Sequence, residues 1–488
     1  MAEPQSFSQL RAVGRLEKHA TARHSLGYYR NVGVSAQYST LSPMSVTDLP
    51  SLMYRSLASV VTEHPSLSAI VVDEDKSSSY FARMPTIDFS RVVRFLVCPD
   101  LFKEEIGTAK LDEILEDEHN RSFHPLNGET PLWRLVVVHA SSTVSQFLAL
   151  FIYHHAIADG TSGLAFHRSL LSRLSQENDR SLQVPGSGLG PDQQGDHVFQ
   201  VPEKPLIPNL ESLHPLPLSI SYIFNSLWHE YFSGRPSKLW TGAAIRDDGS
   251  SQRSRFKSMS FSQANTSKLL RACRSNLTSV TATLHAILAA AVFSQLPLMQ
   301  YTVLRVDGAV SLRRWMPEKH VKGDSMGTWV SRYLEEHHRR SRNPDSATGA
   351  FRYFSWDEAR RIRATINVEI DKKGQDSVVG LLKFAGDLHG YFKKKIGKQR
   401  EESFEFSNIG VFKGGYGGME KWRIGRVVFS QSADVVGAAF ETSLVTGEDG
   451  RLNIGFSWME GVVESTWMDQ LMLTYKSFVE EVVADYSP

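Results

Sequence analysis

The passage that most constrains this chain runs from the apolar and aromatic stretch Gln146-Phe-Leu-Ala-Leu-Phe-Ile-Tyr153 directly into His154-His155-Ala156-Ile157-Ala158-Asp159-Gly160. A run of that length and composition predicts a buried strand. Thr161-Ser162-Gly163 then opens an amphipathic stretch, Leu164 to Leu174, with the pattern of a helix start. The two imidazoles therefore stand at a strand end. Successive strand residues face opposite ways, so one ring can enter a cleft while the other turns elsewhere, and Gly160 permits a sharp turn. A histidine placed this way can act as a general base, and the pattern points to acyl transfer.

Rival constellations are weaker. His337-His338 lies in the charged run Glu335-Glu-His-His-Arg-Arg-Ser-Arg342, which reads as a solvated face with no strand before it. Metal binding by His154 and His155 is not expected, because ligands on one element need a spacing that aims both rings at one point, and adjacent rings diverge. Gly323-Asp-Ser-Met-Gly327 has the spacing of a hydrolase nucleophile elbow, yet the charged, turn-like Pro317 to Lys322 precedes it where a buried strand is required. Ser325 is therefore read as a loop residue. The glycine strings Gly186 to Gly190 and Lys413 to Gly418 lack the strand and helix flanks of a phosphate-binding loop, so they read as linker and turn.

Balanced charge, 54 Lys plus Arg against 53 Asp plus Glu, gives no basic face for nucleic acid. The two cysteines, Cys98 and Cys273, make neither a disulfide framework nor a metal cluster and suit a reducing cytosol. Without an apolar run of spanning length, a cytoplasmic, monomeric protein is the expectation. The aromatic-rich helix expected at Leu218 to Phe232, with Tyr222, Phe224, Trp228 and Tyr231, reads as core, with peripheral membrane contact as its other use.

Periodicity predicts an α/β texture in both halves. Before residue 178 it predicts helices over Val46 to Val61 and Leu111 to Asn120, and strands near Ser68 to Val72, Val92 to Cys98 and Trp133 to His139. The Gly-, Pro- and Gln-rich string Val184 to Asp196, with Pro202, Pro205 and Pro208 beyond it, reads as a linker. After it come the small-residue helix Thr281 to Phe293 and strands at Phe256 to Phe261, Val303 to Leu312 and Val427 to Ser432.

The motif His-His-x-x-x-Asp-Gly resembles the signature of the chloramphenicol-acetyltransferase-like superfamily, which includes plant acyl-CoA-dependent acyltransferases, carrier-protein condensation domains and fungal alcohol acetyltransferases. Further segments are similar to the alcohol acetyltransferase branch: the opening Gly14 to His19 and Thr21 to Val34, Trp240-Thr-Gly242, Ser279 to His285, Ser311-Leu-Arg-Arg-Trp315, Ser407-Asn-Ile-Gly-Val411 and Val428-Phe-Ser-Gln-Ser432. The likeness spans nearly the whole chain except residues 178 to 215. It implies two α/β lobes with mixed sheets and a tunnel at their interface: an N-terminal lobe over 1–183, a crossover linker over 184–215 and a C-terminal lobe over 216–488.

The resemblance also implies chemistry: transfer of an acetyl group from acetyl-CoA, a co-substrate and not a resident cofactor, to a hydroxyl of a small, mostly apolar molecule such as a secondary metabolite. An amine acceptor, a carrier-protein thioester donor, and a ligand-binding or cyclase member of the same fold are the alternatives. His155 is the expected general base, since imidazole titrating near about 6.5 can take the alcohol proton and return it to the thiolate. In similar enzymes the motif carboxylate pairs with an arginine, which maps Asp159 onto Arg313 as an ion pair, with His154 and Gly160 as supports. Ser432, Gln431, Ser407 and Asn408 are candidates for the oxyanion or the tunnel wall. Lys393, Lys394 and Lys395, with Lys398 and Arg400, are candidates for the phosphates of coenzyme A.

Overall fold

A computed structural model describes residues 7–123, 130–183, 197–231, 234–246, 253–339, 349–414, 421–484 and 486. The linker string 184–196, Phe232 and the glycines after Gly414 in 413–418 fall outside them. Two mixed sheets carry the architecture. The first has the order β14 (Trp422–Gln431), β2 (Val32–Ser45), β8 (Thr143–Tyr153), β7 (Trp133–His139) and β6 (Val93–Val97), with only β6 and β7 parallel. The second runs β10 (Ser254–Phe261), β16 (Leu452–Met459), β15 (Phe440–Thr446), β13 (Phe404–Val411), β11 (Val303–Ser311) and β12 (Val330–His338), with β11, β13 and β15 parallel. Two small sheets flank them: β1 (Ser8–Ala12), β4 (Tyr80–Arg83) and β3 (Ala69–Val72), and β5 (Thr86–Asp88) with β9 (Val198–Gln200).

The expected strand before the motif is β8. Every residue from Phe147 to Tyr153 is buried, because helix Leu49–Glu63 and helix Gly160–Gln183 supply apolar residues to the same cluster. Register fixes the packing: Phe147 pairs with Tyr38 of β2, and the two rings stack 5.0 Å apart. In the second lobe, helix Val280–Gln295 is buried from Ala282 through Phe293. Its alanines let it pack closely among helices Trp356–Asp371 and Ser465–Val482 and the sheet.

Chain halves and sheets do not coincide. Strand β14, from the C-terminal half, pairs with β2 and so completes the N-terminal sheet. Polar clasps join the lobes elsewhere: Asn120 exchanges hydrogen bonds with the Ser254 backbone, and Asp112 accepts from both the backbone and hydroxyl of Ser258.

Three sequence expectations are corrected. His337 is buried on β12, 2% exposed, hydrogen-bonded to Glu358 and His285; alternation along the strand turns Glu335 and His337 inward and His338 outward. Residues 197 to 215, expected as linker, hold β9, a short helix Leu210–Leu213 and the buried Leu210. The helix expected in the core, observed as Ile220–Tyr231, leaves Ile220, Phe224 and Trp228 exposed as a stripe at i, i+4 and i+8. It is held by its start, where Ser219 donates to Asp376, rather than by that stripe. Among the described residues no single helix is long and apolar enough to cross a membrane.

Candidate active site

The end of β8 presents the two histidines to different surroundings, as alternation requires. His154 is 1% exposed and faces Glu74, whereas His155 lines a cavity of about 730 Å³ at the junction of the lobes, within the size range of small-molecule sites. Nδ1 of His155 lies 3.1 Å from the Ala158 carbonyl oxygen. A carbonyl only accepts, so Nδ1 carries the proton and Nε2 keeps the lone pair. Burial, and after it the Arg23 guanidinium, lower the pKa of His155, which keeps the ring neutral at neutral pH. Thr328 donates to the His155 carbonyl at 2.9 Å and steadies the backbone there.

His154 is fixed by a partner that sequence reasoning missed. Its Nδ1 accepts from the Ala156 amide at 2.9 Å, so Nε2–H donates to Glu74, also at 2.9 Å. His24 mirrors it: Nε2 accepts from the Phe123 amide and Nδ1 donates to Glu74 at 3.0 Å. Burial opposes ionisation of Glu74, but the two imidazole N–H groups outweigh it and hold the carboxyl down to about 2. Burial drives His154 down to about 4. The ligand atoms of His24, Glu74 and His154 lie within 4.8 Å of one another. Yet both ring lone pairs already accept backbone amides, which leaves no nitrogen lone pair for a cation.

Asp159 and Arg313 come together as expected. Arg313 donates to Asp159 Oδ1 at 2.7 Å, both side chains are nearly buried, and the guanidinium stacks on Trp329 at 4.7 Å. The same carboxylate accepts from the amide and hydroxyl of Ser162 and from the Trp329 amide. Burial disfavours its charge, but Arg313 and these donors prevail and keep its pKa below the ordinary value. Asp159 makes no hydrogen bond to the His155 ring, whose Nδ1 is engaged by Ala158. Its amide donates to the Gly327 carbonyl, and Arg313 donates to the Ser325 carbonyl. The 323–327 string is thus a loop that braces the motif, with Ser325 Oγ accepting from the Lys322 amide.

Gly160 is required for another reason than the expected turn. It begins the helix without a positive φ, and a Cβ there would stand 2.6 Å from Ile409 Cγ2 and 3.1 Å from Phe429 Cζ. Close approach of two strands from the other half, β13 and β14, is what excludes a side chain.

The cavity draws residues from five strands: Val32, Asp307 and Ala309, Val330 to Arg332, Glu405 and Ser407, and Phe429 and Gln431. Helix Arg15–Ser25 adds Leu16, His19, Ala20 and Arg23, a single i, i+3, i+4, i+7 face. That spacing, inside the opening segment, was the available signal for His19 and Arg23. Residues between Val378 and Lys395 close the remaining side with Leu381, Phe384 and Phe392 among them.

The remaining candidates separate. Gln431 and Ser407 line the cavity. Asn408 instead donates to Thr281 and accepts from the Gly410 amide. Ser432 is fully buried away from the lining, where its Oγ accepts from the Arg30 and Asn31 amides and ties β14 to the start of β2. Lys394 and Lys395 line the cavity, Lys395 in an ion pair with Glu401 at 3.3 Å, while Lys393 is exposed beside them. Arg400 is 2% exposed and donates to the carbonyls of Asp434, Gly437 and Ala438, so its guanidinium is engaged internally.

Comparison with known proteins bears on family and fold. The chain is 33% identical over 472 residues to the probable alcohol acetyltransferase crmB of Aspergillus fumigatus, covering 94% of this chain and 96% of that one. It is 24% identical to the probable alcohol acetyltransferase FCK4 of Fusarium pseudograminearum, covering 93% and 92%. Among solved structures, the TRI3 trichothecene 15-O-acetyltransferase of Fusarium sporotrichioides superposes with a TM-score of 0.68 at 13% identity, over 97% of this chain and 94% of that one. The first condensation domain of the calcium-dependent antibiotic synthetase reaches 0.61 at 15% identity, covering 99% and 98%. These two share the two-lobed fold. The model of the alcohol acetyltransferase family matches residues 12–479, and the chain belongs to that family of acyltransferases.

Proposed function

We propose that this acetyltransferase moves an acetyl group from acetyl-CoA to a hydroxyl of a small molecule held in the cavity, with His155 as general base. One observation carries the reading. His155 is a neutral, cavity-lining imidazole whose Nδ1–H donates to the Ala158 carbonyl, leaving the Nε2 lone pair free to act as the base. Nε2 takes the hydroxyl proton as the acceptor oxygen bonds to the acyl carbon, then returns it to the departing sulfur, so one residue serves both steps. The thioester supplies the activated acyl carbon. Ser407, whose strand faces the cavity, is the hydroxyl best placed to donate to the developing oxyanion, in preference to Ser432. Leu16, Ala20, Leu381, Phe384 and Phe429 offer an apolar wall to the acceptor's hydrocarbon part, and Lys394 with the exposed Lys393 offers charge to the donor's phosphates.

The test is a donor comparison. Purified protein is given acetyl-CoA or acetyl groups on a carrier protein, with an alcohol panel, and acetyl esters are quantified by mass spectrometry. Ester formation with free acetyl-CoA is expected. Activity confined to the carrier-bound donor would transfer the protein to the condensation-type reading.

A further inference from the structure

The polar wall of the cavity carries a row of acids set by strand register. Asp307 of β11 pairs with Glu405 of β13, and Glu405 pairs with Glu441 of β15, all in parallel register. Residues in register on neighbouring strands share a face, so three carboxyl groups stand side by side at strand spacing, roughly 5 Å apart. Like charges so placed repel. Asp307 is offset by Arg332 at 2.7 Å. Glu441, 1% exposed behind the cavity, accepts only the Asp434 amide, and its Oε2 has no partner. Glu405 is the middle member and faces the cavity, where its side chain receives the Gln431 amide at 3.3 Å and, among the described residues, no cation within ion-pair distance. Arg23, the guanidinium across from it, is paired with Asp434 at 2.7 Å. Burial, and next the charge of Asp307, push Glu405 up to about 7, and Glu441 is raised as well. The wall is short of positive charge.

A path joins this wall to the base. Tyr29 lies 6.0 Å from the His155 ring and donates to Gln431 Oε1 at 2.9 Å, while the other end of that amide donates to Glu405. One molecule can therefore reach from His155 to the carboxylate row across Gln431. We propose that Glu405, with Asp307 beside it, is the docking site for a protonated amine of the acceptor, so that the substrate is a basic amino alcohol whose hydroxyl lies at His155. This rests on the acetyl-transfer reading, and it names the acceptor class within it.

The experiment is calorimetric titration, without acyl donor, of a matched pair: 2-(piperidin-4-yl)ethanol, which carries the ammonium, and 2-cyclohexylethanol, which does not. The amine is expected to bind tighter by roughly tenfold or more, the range of a charge-assisted hydrogen bond. Its binding should release protons as Glu405 ionises, seen as a heat that differs between buffers. Glu405→Gln, which keeps the carbonyl that accepts from Gln431, should abolish both the preference and the release. If that variant fails to fold, the wild-type pH series decides: amine affinity must rise as pH passes upward through about 7, and that of the carbocycle must not. Equal affinities, no binding by either compound, or a preference that survives Glu405→Gln overturns the assignment. Since no acyl donor is present, failure here is distinct from failure of acetyl transfer.

Discussion

Removing Arg313 should destabilise the protein by way of one charge, and the size and pH dependence of the loss can be worked from the structure. In Arg313→Ala the Asp159 carboxylate keeps three neutral donors, the Ser162 amide and hydroxyl and the Trp329 amide, but loses the one cation paired with it among the described residues. Breaking a buried pair from one side costs about 3 to 5 kcal/mol. With an unfolding entropy of about 2.1 cal/mol/K per residue over 488 residues, each kcal/mol is about 1 °C, so Tm should fall by about 3 to 5 °C. Asp159→Ala should cost a similar amount. The double variant should fall short of the sum by about 2 °C or more, because both singles break the same contact. The sign with pH follows. In the wild type the Asp159 pKa is depressed, so its contribution is present above the unfolded value near about 3.9 and is lost as pH falls through the folded one. In Arg313→Ala, burial is left as the dominant influence and raises that pKa, so the variant regains stability as pH drops and the carboxyl protonates. Differential scanning fluorimetry from pH 8 to pH 5 should therefore show the gap between variant and wild type narrowing. A gap independent of pH, or strictly additive losses, would refute the ion-pair account and leave packing on Trp329 as the cause.

How far the sequence reached depended on whether a residue's partner is local. β8, the helix after it and the pairing of Asp159 with Arg313 could be anticipated, because alternation, run length and a motif resemblance all act within short windows or known spacings. Glu74 could not: it meets His154 across eighty positions, and nothing in Val72 to Lys76 marks one acid of three as turned inward. The carboxylate row is hidden for a related reason. Asp307, Glu405 and Glu441 each look like a lone acid in an apolar strand, and only parallel register makes them neighbours. His337 misled because charge density was weighed over alternation; Glu335 and His337 face inward while Leu334 and His338 face out. Exposure of Ile220, Phe224 and Trp228 was equally invisible, since an amphipathic pattern gives a helix two faces without saying which surface the apolar one meets.

Four further outcomes are expected. His155→Ala should lower kcat by at least about 10²-fold with Tm unchanged, because the anchoring Thr328 bond is to the backbone carbonyl; near-normal turnover would remove His155 from catalysis. The acid limb of kcat/KM against pH, measured with an acceptor alcohol that carries no amine so that Glu405 does not enter, should have its midpoint below the ordinary histidine value of about 6.5, since burial and Arg23 lower this pKa and the base is lost only when the ring protonates; a midpoint above it contradicts the assignment. Gly160→Ala should cost about 1 to 3 kcal/mol, measured by denaturant titration, because its Cβ would sit 2.6 Å from Ile409 Cγ2. Glu74 tests whether the histidine cluster is a hydrogen-bonded support or a cation site. Glu74→Ala leaves the N–H groups of His24 and His154 buried without an acceptor, about 1 to 3 kcal/mol for each, whereas Glu74→Gln retains one amide oxygen that His154 can still reach and should lose less. Because both remaining ring nitrogens accept backbone amides, neither zinc nor a chelator should move the Tm of the wild type. A chelator-induced drop in Tm, reversed by zinc and absent in Glu74→Ala, would show that the amides yield to a metal and that His24 and His154 hold their ring protons on other nitrogens than those facing Glu74.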